Sequence, residues 1–475
     1  MALATTLEIV SLVELSVKYG EVIKTFIHDV RHSDEDQDDM LLDVSGRLKV
    51  IKLHDDMLQK LPQSDVEALT DRMKRMKKSA EELVELTKKL RTNQYGALNW
   101  ATGKKRKLQK TVDTILNDQG SWALELILLG VYSNLPVVDG DTKRIVAFIE
   151  SSLKNRQTLD PQPNLELPPD RLRMLEWTTV ECSNFETAIS QNGNHLITET
   201  HEWESQRDKE STLGRIREVA MTFHASEVDD CNFQSIKANI AQCLGYVPFA
   251  KGARMVFELP GGTREVMSLR QLLTMENTHS LNARLELARS LSTAVFFTHA
   301  YQYVHKNIRS ANIVLCQGST RNLHNGIGQV ILAGFGDSRA VSKLSSQRED
   351  MRHEYDIYRH PSRIGPEPLP KYTFVHDVYS LGVCLLEIGL WTDMLDEDWK
   401  ELHDAHPRER PGMLKSYAEE FLPVEMGTAY RDIVLDCLGG VEGSFVDAVE
   451  QARDGRQVGM GYIKVVLDGL GAIAV

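Results

Sequence analysis

The sequence has few cysteines and no long uninterrupted hydrophobic run. Its six cysteines are spread over 475 residues, without the short paired spacing that zinc sites or small disulfide scaffolds need. We therefore expect reduced thiols in an intracellular protein. No stretch of about 18 uncharged apolar residues occurs, which argues against a permanent membrane span. The apolar N-terminus lacks the basic region and cleavage site of a secretory signal, so we expect a cytoplasmic location.

The sequence also has fewer basic than acidic residues. The formal net charge of -13 disfavours binding to a polyanion, and we expect no nucleic-acid partner. The residues are 42% hydrophobic and 26% charged, which is close to the average of soluble globular proteins. At a usual size of roughly 100 to 200 residues per domain, the length indicates two or three domains, and we count two.

Residues 1–135 show the pattern of successive amphipathic helices. Between Val66 and Leu90, apolar residues recur mostly at steps of three and four, and Ser64 with Glu67 forms a capping box at the start of this stretch. The run from Trp122 to Val131 is the most apolar part, and we expect it to pack inside. One apolar stripe per helix predicts an all-α helical bundle.

A proline cluster between Pro161 and Pro169 predicts an extended linker, which we place at 136–170. Beyond it, over 171–475, short strand patterns come first and helical patterns follow, so the second half is expected to be α+β. Asn192-Gly193 predicts a two-residue hairpin turn with positive φ at both positions, joining strands Phe185 to Ile189 and His195 to Thr200.

A small, sheet-bearing lobe is predicted for about 171–262 and a large lobe for about 263–475. In the small lobe we expect a helix from about Lys209 to Phe223 and strands from Gln242 to Phe249 and from Ala253 to Leu259. From Leu281 onward the apolar spacing is helical again.

Three segments follow in a fixed order. They are His305-Lys306-Asn307-Ile308-Arg309-Ser310-Ala311-Asn312, then Gly334-Phe335-Gly336, then Asp377-Val378-Tyr379-Ser380-Leu381-Gly382-Val383. Taken singly, each is better explained as an ordinary core histidine, turn or helix. Together they resemble the catalytic loop, the magnesium-binding loop and the central helix of protein kinases. The resemblance implies a bilobal protein-kinase-like fold.

The residues that transfer phosphate in that family are missing here. Asn307 stands where the family has its general base, and Gly334 stands where it has the magnesium-binding aspartate. Asp337 is three residues away and would need a rearranged loop to substitute. The strand His195 to Thr200 contains no lysine, and no glycine-rich phosphate loop precedes it. We therefore expect a pseudokinase with no intact catalytic residue, no metal site, and weak or absent ATP binding.

Several other positions match the family's pattern but do not by themselves provide catalytic groups. His305, Arg309 and Asn312 remain in the degenerate catalytic loop, as Phe335 and Gly336 do in the degenerate metal loop. Asp377 and Gly382 are expected to be structural, with Asp377 tying the central helix to the catalytic-loop backbone.

Two anchors of the family are expected to be lost. Ser362, in Tyr358-Arg359-His360-Pro361-Ser362, stands where the family has the glutamate of an anchoring ion pair. The region Cys437 to Phe445 shows no convincing arginine partner for that pair. For Glu218, a solvated helix face is a better explanation than a lysine-pairing role.

The N-terminal half resembles the HeLo-like domains of fungal self-recognition and cell-death proteins. The resemblance rests on Leu7 to Val17, on the helical tract through Leu90, and on the segment Leu98 to Leu108. It implies a helical bundle whose N-terminal apolar segment can be released to disrupt a membrane. Candidate lipid contacts are Leu12, Val13, Lys104, Lys105, Arg106 and Lys107. The alternatives are a buried first helix, a solvated basic helix face, and a nuclear-import signal.

Joining the two halves gives a hypothesis for function. We expect a signalling pseudokinase that regulates an N-terminal helical effector, in a layout similar to the mixed-lineage kinase-domain-like proteins of animal necroptosis. The alternatives are an interaction scaffold without membrane activity and an atypical active kinase. We expect protein partners. Two further possibilities stay open: recruitment to an anionic membrane, and homo-oligomerisation through the N-terminal bundle.

Overall fold

A computed structural model describes about two thirds of the chain. The described ranges, apart from single positions 73, 84 and 148, are 72–86, 105–133, 145–150, 165–224, 239–275, 279–318, 327–340, 353–365, 369–439 and 455–473. Contacts divide the chain into two compact units, Met1–Ala147 and Phe148–Ile473. The expected domain borders at 135 and 170 stay predictions. Leu12, Val13 and Lys104 lie outside the described residues.

In the first unit, helix α1 (Lys105–Ser133) packs against the helical residues within 72–86. Leu126 to Leu129 are buried, as the apolar run predicted. The two helices also share a buried ion pair, because Arg72 Nη2 lies 2.6 Å from Glu125 Oε1 and Arg72 Nη1 lies 3.4 Å from Asp118 Oδ1. The complete bundle over 1–135 stays a prediction.

The small lobe holds a five-stranded antiparallel sheet in the order β1-β2-β3-β5-β4. The strands are β1 (Thr178–Thr179), β2 (Phe185–Ile189), β3 (His195–Glu202), β4 (Gln242–Phe249) and β5 (Gly252–Glu258). Short helix α2 (Asp170–Arg173) precedes the sheet and α3 (Gln206–Phe223) follows β3.

The expected two-residue turn between β2 and β3 is wrong. Ile189 pairs with His195, so five residues form the loop, and of Asn192 and Gly193 only the glycine has positive φ, at 82°. The N–H of Gly193 donates to the Ser190 carbonyl at 2.9 Å. A tight turn is thus closed by one left-handed glycine, without the strain of a second left-handed residue.

Helix α3 begins three residues earlier than expected because Ser205 caps it. The Ser205 hydroxyl accepts the N–H of Asp208 at 3.2 Å, which satisfies one of the free donors of the first turn. At the other end, Phe223 is fully buried, and its ring centroid lies 4.6 Å from that of Phe335 in the large lobe. The end of α3 is therefore anchored against the loop that carries Phe335.

The large lobe, from Thr263 onward, combines helices with two small antiparallel sheets, β6-β8-β9 and β7-β10. Its strands are β6 (Thr263–Ser268), β7 (Tyr303–Val304), β8 (Ile313–Gly318), β9 (Gln329–Leu332) and β10 (Arg339–Ala340). Its helices are α4 (Leu269–Thr274), α5 (Leu281–Ala300), α6 (Phe374–Leu390), α7 (Lys400–Asp404), α8 (Arg410–Glu425), α9 (Thr428–Cys437), α10 (Gly455–Tyr462) and α11 (Asp468–Ala472).

Helix α6 forms the centre of the large lobe, and its residues are buried from Phe374 to Gly389. Gly382 lets α9 approach closely, since a Cβ at this position would lie 2.8 Å from Cys437 Cβ. A side chain there would separate the two helices.

The described residues contain no helix that is both long and apolar enough to cross a membrane. The five cysteines among them, Cys182, Cys243, Cys316, Cys384 and Cys437, are free thiols.

Candidate functional site

The first and third sequence motifs meet at the carboxylate of Asp377, and His305 links the second motif to them. The loop His305 to Asn312 joins β7 to β8, Gly334 to Gly336 follow β9, and Asp377 lies in the first turn of α6. Asp377 accepts the backbone N–H groups of His305 and Lys306 at 2.7 and 2.9 Å. The expected tie between the central helix and the loop is therefore present in the geometry.

Two side chains complete the shell of Asp377. The Tyr372 hydroxyl donates to it at 3.0 Å, and His299 Nε2 lies 3.2 Å away. Burial raises the pKa of Asp377, but the hydrogen bond and charge of His299 and the N–H of His305 outweigh this, so the pKa lies below its ordinary value. The carboxylate stays ionised and fixes the backbone of the loop.

His305 is a core residue that links this loop to the Gly334 loop. The backbone N–H of Asn307 donates to its Nδ1 at 3.3 Å, which leaves Nε2 as the protonated nitrogen that donates to the Ala333 carbonyl at 3.0 Å. Burial lowers the pKa of His305, in keeping with a neutral ring. The ring also packs on Phe335, with centroids 4.6 Å apart.

Asn307 and Asn312 hold the loop together through amide groups. Asn312 Nδ2 donates to the backbone oxygen of Asn307 at 2.8 Å. Asn307 Nδ2 lies 3.4 Å from Asp337 Oδ2, so Asp337 reaches the loop through a single amide contact. An amide at position 307 cannot accept a proton from a substrate hydroxyl.

Gly334 cannot be replaced by an aspartate without moving Asn312. Its backbone is left-handed, with φ 86° and ψ 37°, and a Cβ there would lie 2.7 Å from Asn312 Nδ2. Among the described residues, no three His, Cys, Asp or Glu side chains are grouped so that they could hold a metal ion. These residues do not fit the magnesium–nucleotide complex that the fold family implies.

Glu199 of β3 reaches the Gly334 to Gly336 loop from the small lobe. Its Oε1 accepts the N–H of Gly336 at 2.9 Å and lies 3.0 Å from Nε2 of His201 on the same strand. No lysine stands on this strand, and a buried carboxylate in its place repels phosphate oxygens. No sequence motif includes Glu199. Its signal was the alternation Ile197, Glu199, His201, which places a carboxylate on an inward strand face.

Glu218 of α3 is buried, contrary to the expected solvated helix face. The sequence of α3 does not indicate that Glu218 is buried, because this burial comes from packing in the tertiary structure.

Tyr358 anchors the segment that was expected to lack an anchor. Its hydroxyl donates to Glu387 Oε1 at 2.7 Å and lies 2.9 Å from Ser310 Oγ, while Ser380 Oγ donates to its backbone oxygen at 2.7 Å. Burial and the charge of Asp393 raise the pKa of Glu387 to about 8. A hydrogen-bonded tyrosine thus connects this segment to α6.

Ser362 itself is exposed, and its Oγ lies 3.1 Å from His376 Nε2. Of the region Cys437 to Phe445, where the sequence suggested no ion-pair partner, only 437–439 are described.

A cavity of about 40 Å³ opens beside the catalytic-like loop. Its lining includes Lys306, Arg309, Arg359 and Arg363, with Asp337 as the acidic member. The pKa of Lys306 is lowered to about 8, chiefly by burial. Arg339, Arg215 and Arg363 act in the same direction, and Asp337 opposes them. The balance of charge favours an anion over a metal ion.

The basic residues proposed for lipid contact lie at the start of α1. Lys105, Arg106 and Lys107 are helical, and the Lys107 side chain is exposed.

Comparison with known proteins agrees with this geometry. A family model of protein tyrosine and serine/threonine kinases matches residues 230–406. Mixed lineage kinase domain-like protein of Mus musculus is 28% identical over 128 residues, which are 26% of this chain and 25% of that protein.

A second relative is the mitogen-activated protein kinase kinase mkk2 of Aspergillus fumigatus, 30% identical over 104 residues, or 22% of this chain and 18% of that protein. The chain thus spans a quarter or less of the length of the curated relatives that it matches. With its sheet-bearing small lobe, its helical large lobe, and three motifs connected through His305 and Asp377, the second unit of this chain contains a protein-kinase-like domain.

Proposed function

We propose that the kinase-like domain is a signalling pseudokinase that does not transfer phosphate. The observation that carries this proposal is the replacement of both catalytic carboxylates, by an amide at Asn307 and by a glycine at Gly334, whose Cβ position is blocked by Asn312. Glu199 adds a negative charge where nucleotide phosphates would need a positive one. Phosphoryl transfer depends on charge and metal placement, so these changes together should abolish it.

The site is tested by a thermal-shift titration of the full chain with ATP, with and without magnesium, and by transfer of radiolabel from ATP. We expect no stabilisation and no transfer. Stabilisation by ATP without magnesium would indicate nucleotide sensing. Labelling of a substrate that disappears in Asn307→Ala would refute the proposal.

The domain regulates the N-terminal helical unit in this proposal. The resemblance of the N-terminal half to HeLo-like domains supports an effector that acts on membranes in programmed cell death or self-recognition. Similarity to the mixed lineage kinase domain-like protein also supports a role in programmed cell death. The cationic cavity beside Lys306 supports an acidic or phosphorylated partner as the input.

Leakage of vesicles tests the membrane part. Full-length protein should release dye from vesicles with anionic lipid, and Leu12→Glu with Val13→Glu should prevent this, while Lys107→Gln should weaken the lipid dependence. If no lipid composition leads to leakage, the interaction scaffold without membrane activity becomes the better proposal. Stable capture of a protein partner without lipid would then be its positive test.

An atypical active kinase is the remaining candidate, and the contact of Asp337 with Asn307 is the observation in its favour. Transfer activity that is lost in Asp337→Asn but kept in Asp396→Asn would support it. If the unmodified chain transfers no phosphate from ATP in this assay, the active-kinase candidate is excluded.

A further inference from the structure

The small lobe is joined to the Gly334–Gly336 loop of the large lobe by a charged contact. Glu199 Oε1 accepts the N–H of Gly336 at 2.9 Å and lies 3.0 Å from His201 Nε2. Glu199 is only 8% exposed, and its second oxygen receives no hydrogen bond from the described residues. His201 Nε2 has no hydrogen-bond partner among the described residues either, so the two side chains form an ion pair by distance at a site that is removed from water.

The ring of His201 also occupies the space above Gly336. A Cβ at position 336 would lie 1.6 Å from His201 Cε1, so the ring can stay in place only above a glycine. We propose that Glu199, His201 and the N–H of Gly336 form a proton-operated latch that holds the two lobes together without a nucleotide.

The charges around the latch favour its ion-pair state. Burial lowers the pKa of His201, but the charge and contact of Glu199, aided by Asp337, outweigh burial and the opposing charge of Arg215, so the pKa lies above its ordinary value. Burial raises the pKa of Glu199, but His201 and the N–H of Gly336 outweigh this and the pKa is lowered.

The direction of the pH response follows from these shifts. A histidine with a raised pKa stabilises the folded contact at low pH, and this contribution is lost as the pH rises through its folded pKa. Above that pH, Glu199 keeps its charge but loses the neighbouring cation, and a buried unpaired carboxylate is unfavourable. The latch should therefore open as the pH rises through the raised folded pKa of His201.

The latch and the loss of phosphotransfer are separate properties. The contact between Glu199 and Gly336 requires no nucleotide, and it could exist in an enzyme that is active. Finding ATP turnover would refute the pseudokinase proposal and leave the latch unaffected.

Hydrogen–deuterium exchange of the full chain without nucleotide tests the latch. Protection of the Gly336 amide, in a peptide covering 329–340, is measured from pH 6 to 9 and corrected for intrinsic exchange. We expect protection to fall about tenfold or more as the pH rises, because the amide then loses one charge-assisted hydrogen bond. Glu199→Gln should give low protection at every pH, and His201→Gln should remove the pH dependence.

Two further variants separate the latch from general damage to the fold. A Cβ added by Gly336→Ala would lie 1.6 Å from His201 Cε1 and 2.6 Å from Glu199 Oε1, so this variant displaces both side chains and should give low protection at every pH, as Glu199→Gln does. His195→Gln changes another histidine on the same strand and should keep the wild-type profile. Wild-type protection that does not change with pH, or a His201→Gln profile equal to that of the wild type, would overturn the latch.

Discussion

The pH dependence of stability should reveal the buried carboxyl of Glu387. Glu387 is fully buried, accepts the Tyr358 hydroxyl, and has a pKa raised from 4.5 to about 8 by burial and by Asp393. A raised carboxyl pKa means that this group favours the folded state below the unfolded pKa, and that the contribution is lost as the pH rises through the folded value. Since one pKa unit corresponds to about 1.4 kcal/mol, the loss between pH 6 and 8 should be about 2 kcal/mol.

The variant Glu387→Gln tests this magnitude. An amide keeps an oxygen for the Tyr358 hydroxyl but cannot ionise, so the difference in unfolding free energy between variant and wild type should change by about 2 kcal/mol over this range. Urea denaturation of the full chain at pH 6, 7 and 8 measures it, with exposed Glu420→Gln as the control. If wild type and Glu387→Gln have parallel stability curves, the carboxyl is ionised or hydrated and the reasoning fails.

Three other changes test particular contacts. Tyr358→Phe removes a hydrogen bond that lowers the pKa of Glu387, so it should cost about 1 kcal/mol and move the pH transition upward in the same urea series. Asp377→Asn points an amide at two backbone N–H groups and should cost about 3 kcal/mol or more in thermal and urea unfolding. Arg72→Met takes the closest cation from buried Glu125, and should lower the stability of the first unit by about 3 to 5 kcal/mol in urea unfolding followed by circular dichroism.

Much of the fold of the second unit could be predicted from local patterns. Strand β4 has the predicted bounds, and α5 begins at the predicted Leu281. The errors lie where one side chain decides the outcome. Ser205 extends α3 by a cap, and Gly193 alone closes the β2–β3 turn because the loop has five residues. The HeLo-like assignment of the N-terminal half stays a prediction.

The candidate site was only partly predictable. His305, Asn307, Gly334 and Asp377 were identified because their order and spacing along the chain match a known pattern. Tyr358 was missed as an anchor since it takes over the connection to α6 with a hydrogen bond in place of the expected ion pair. Motif comparison detects residues at matching positions, whereas a substitute contact from a different position has no motif.

The sequence by itself determined which chemical groups stand at the key positions: an amide at 307, a bare α-carbon at 334 and no lysine in β3. Only the tertiary structure decided that Glu199 and His201 reach Gly336 from the opposite lobe. Residue identity is a local property of the chain. The partner of a buried charge, and hence its pKa, depends on which distant segments the fold brings within about 3 to 4 Å, and spacing along the sequence does not contain that information.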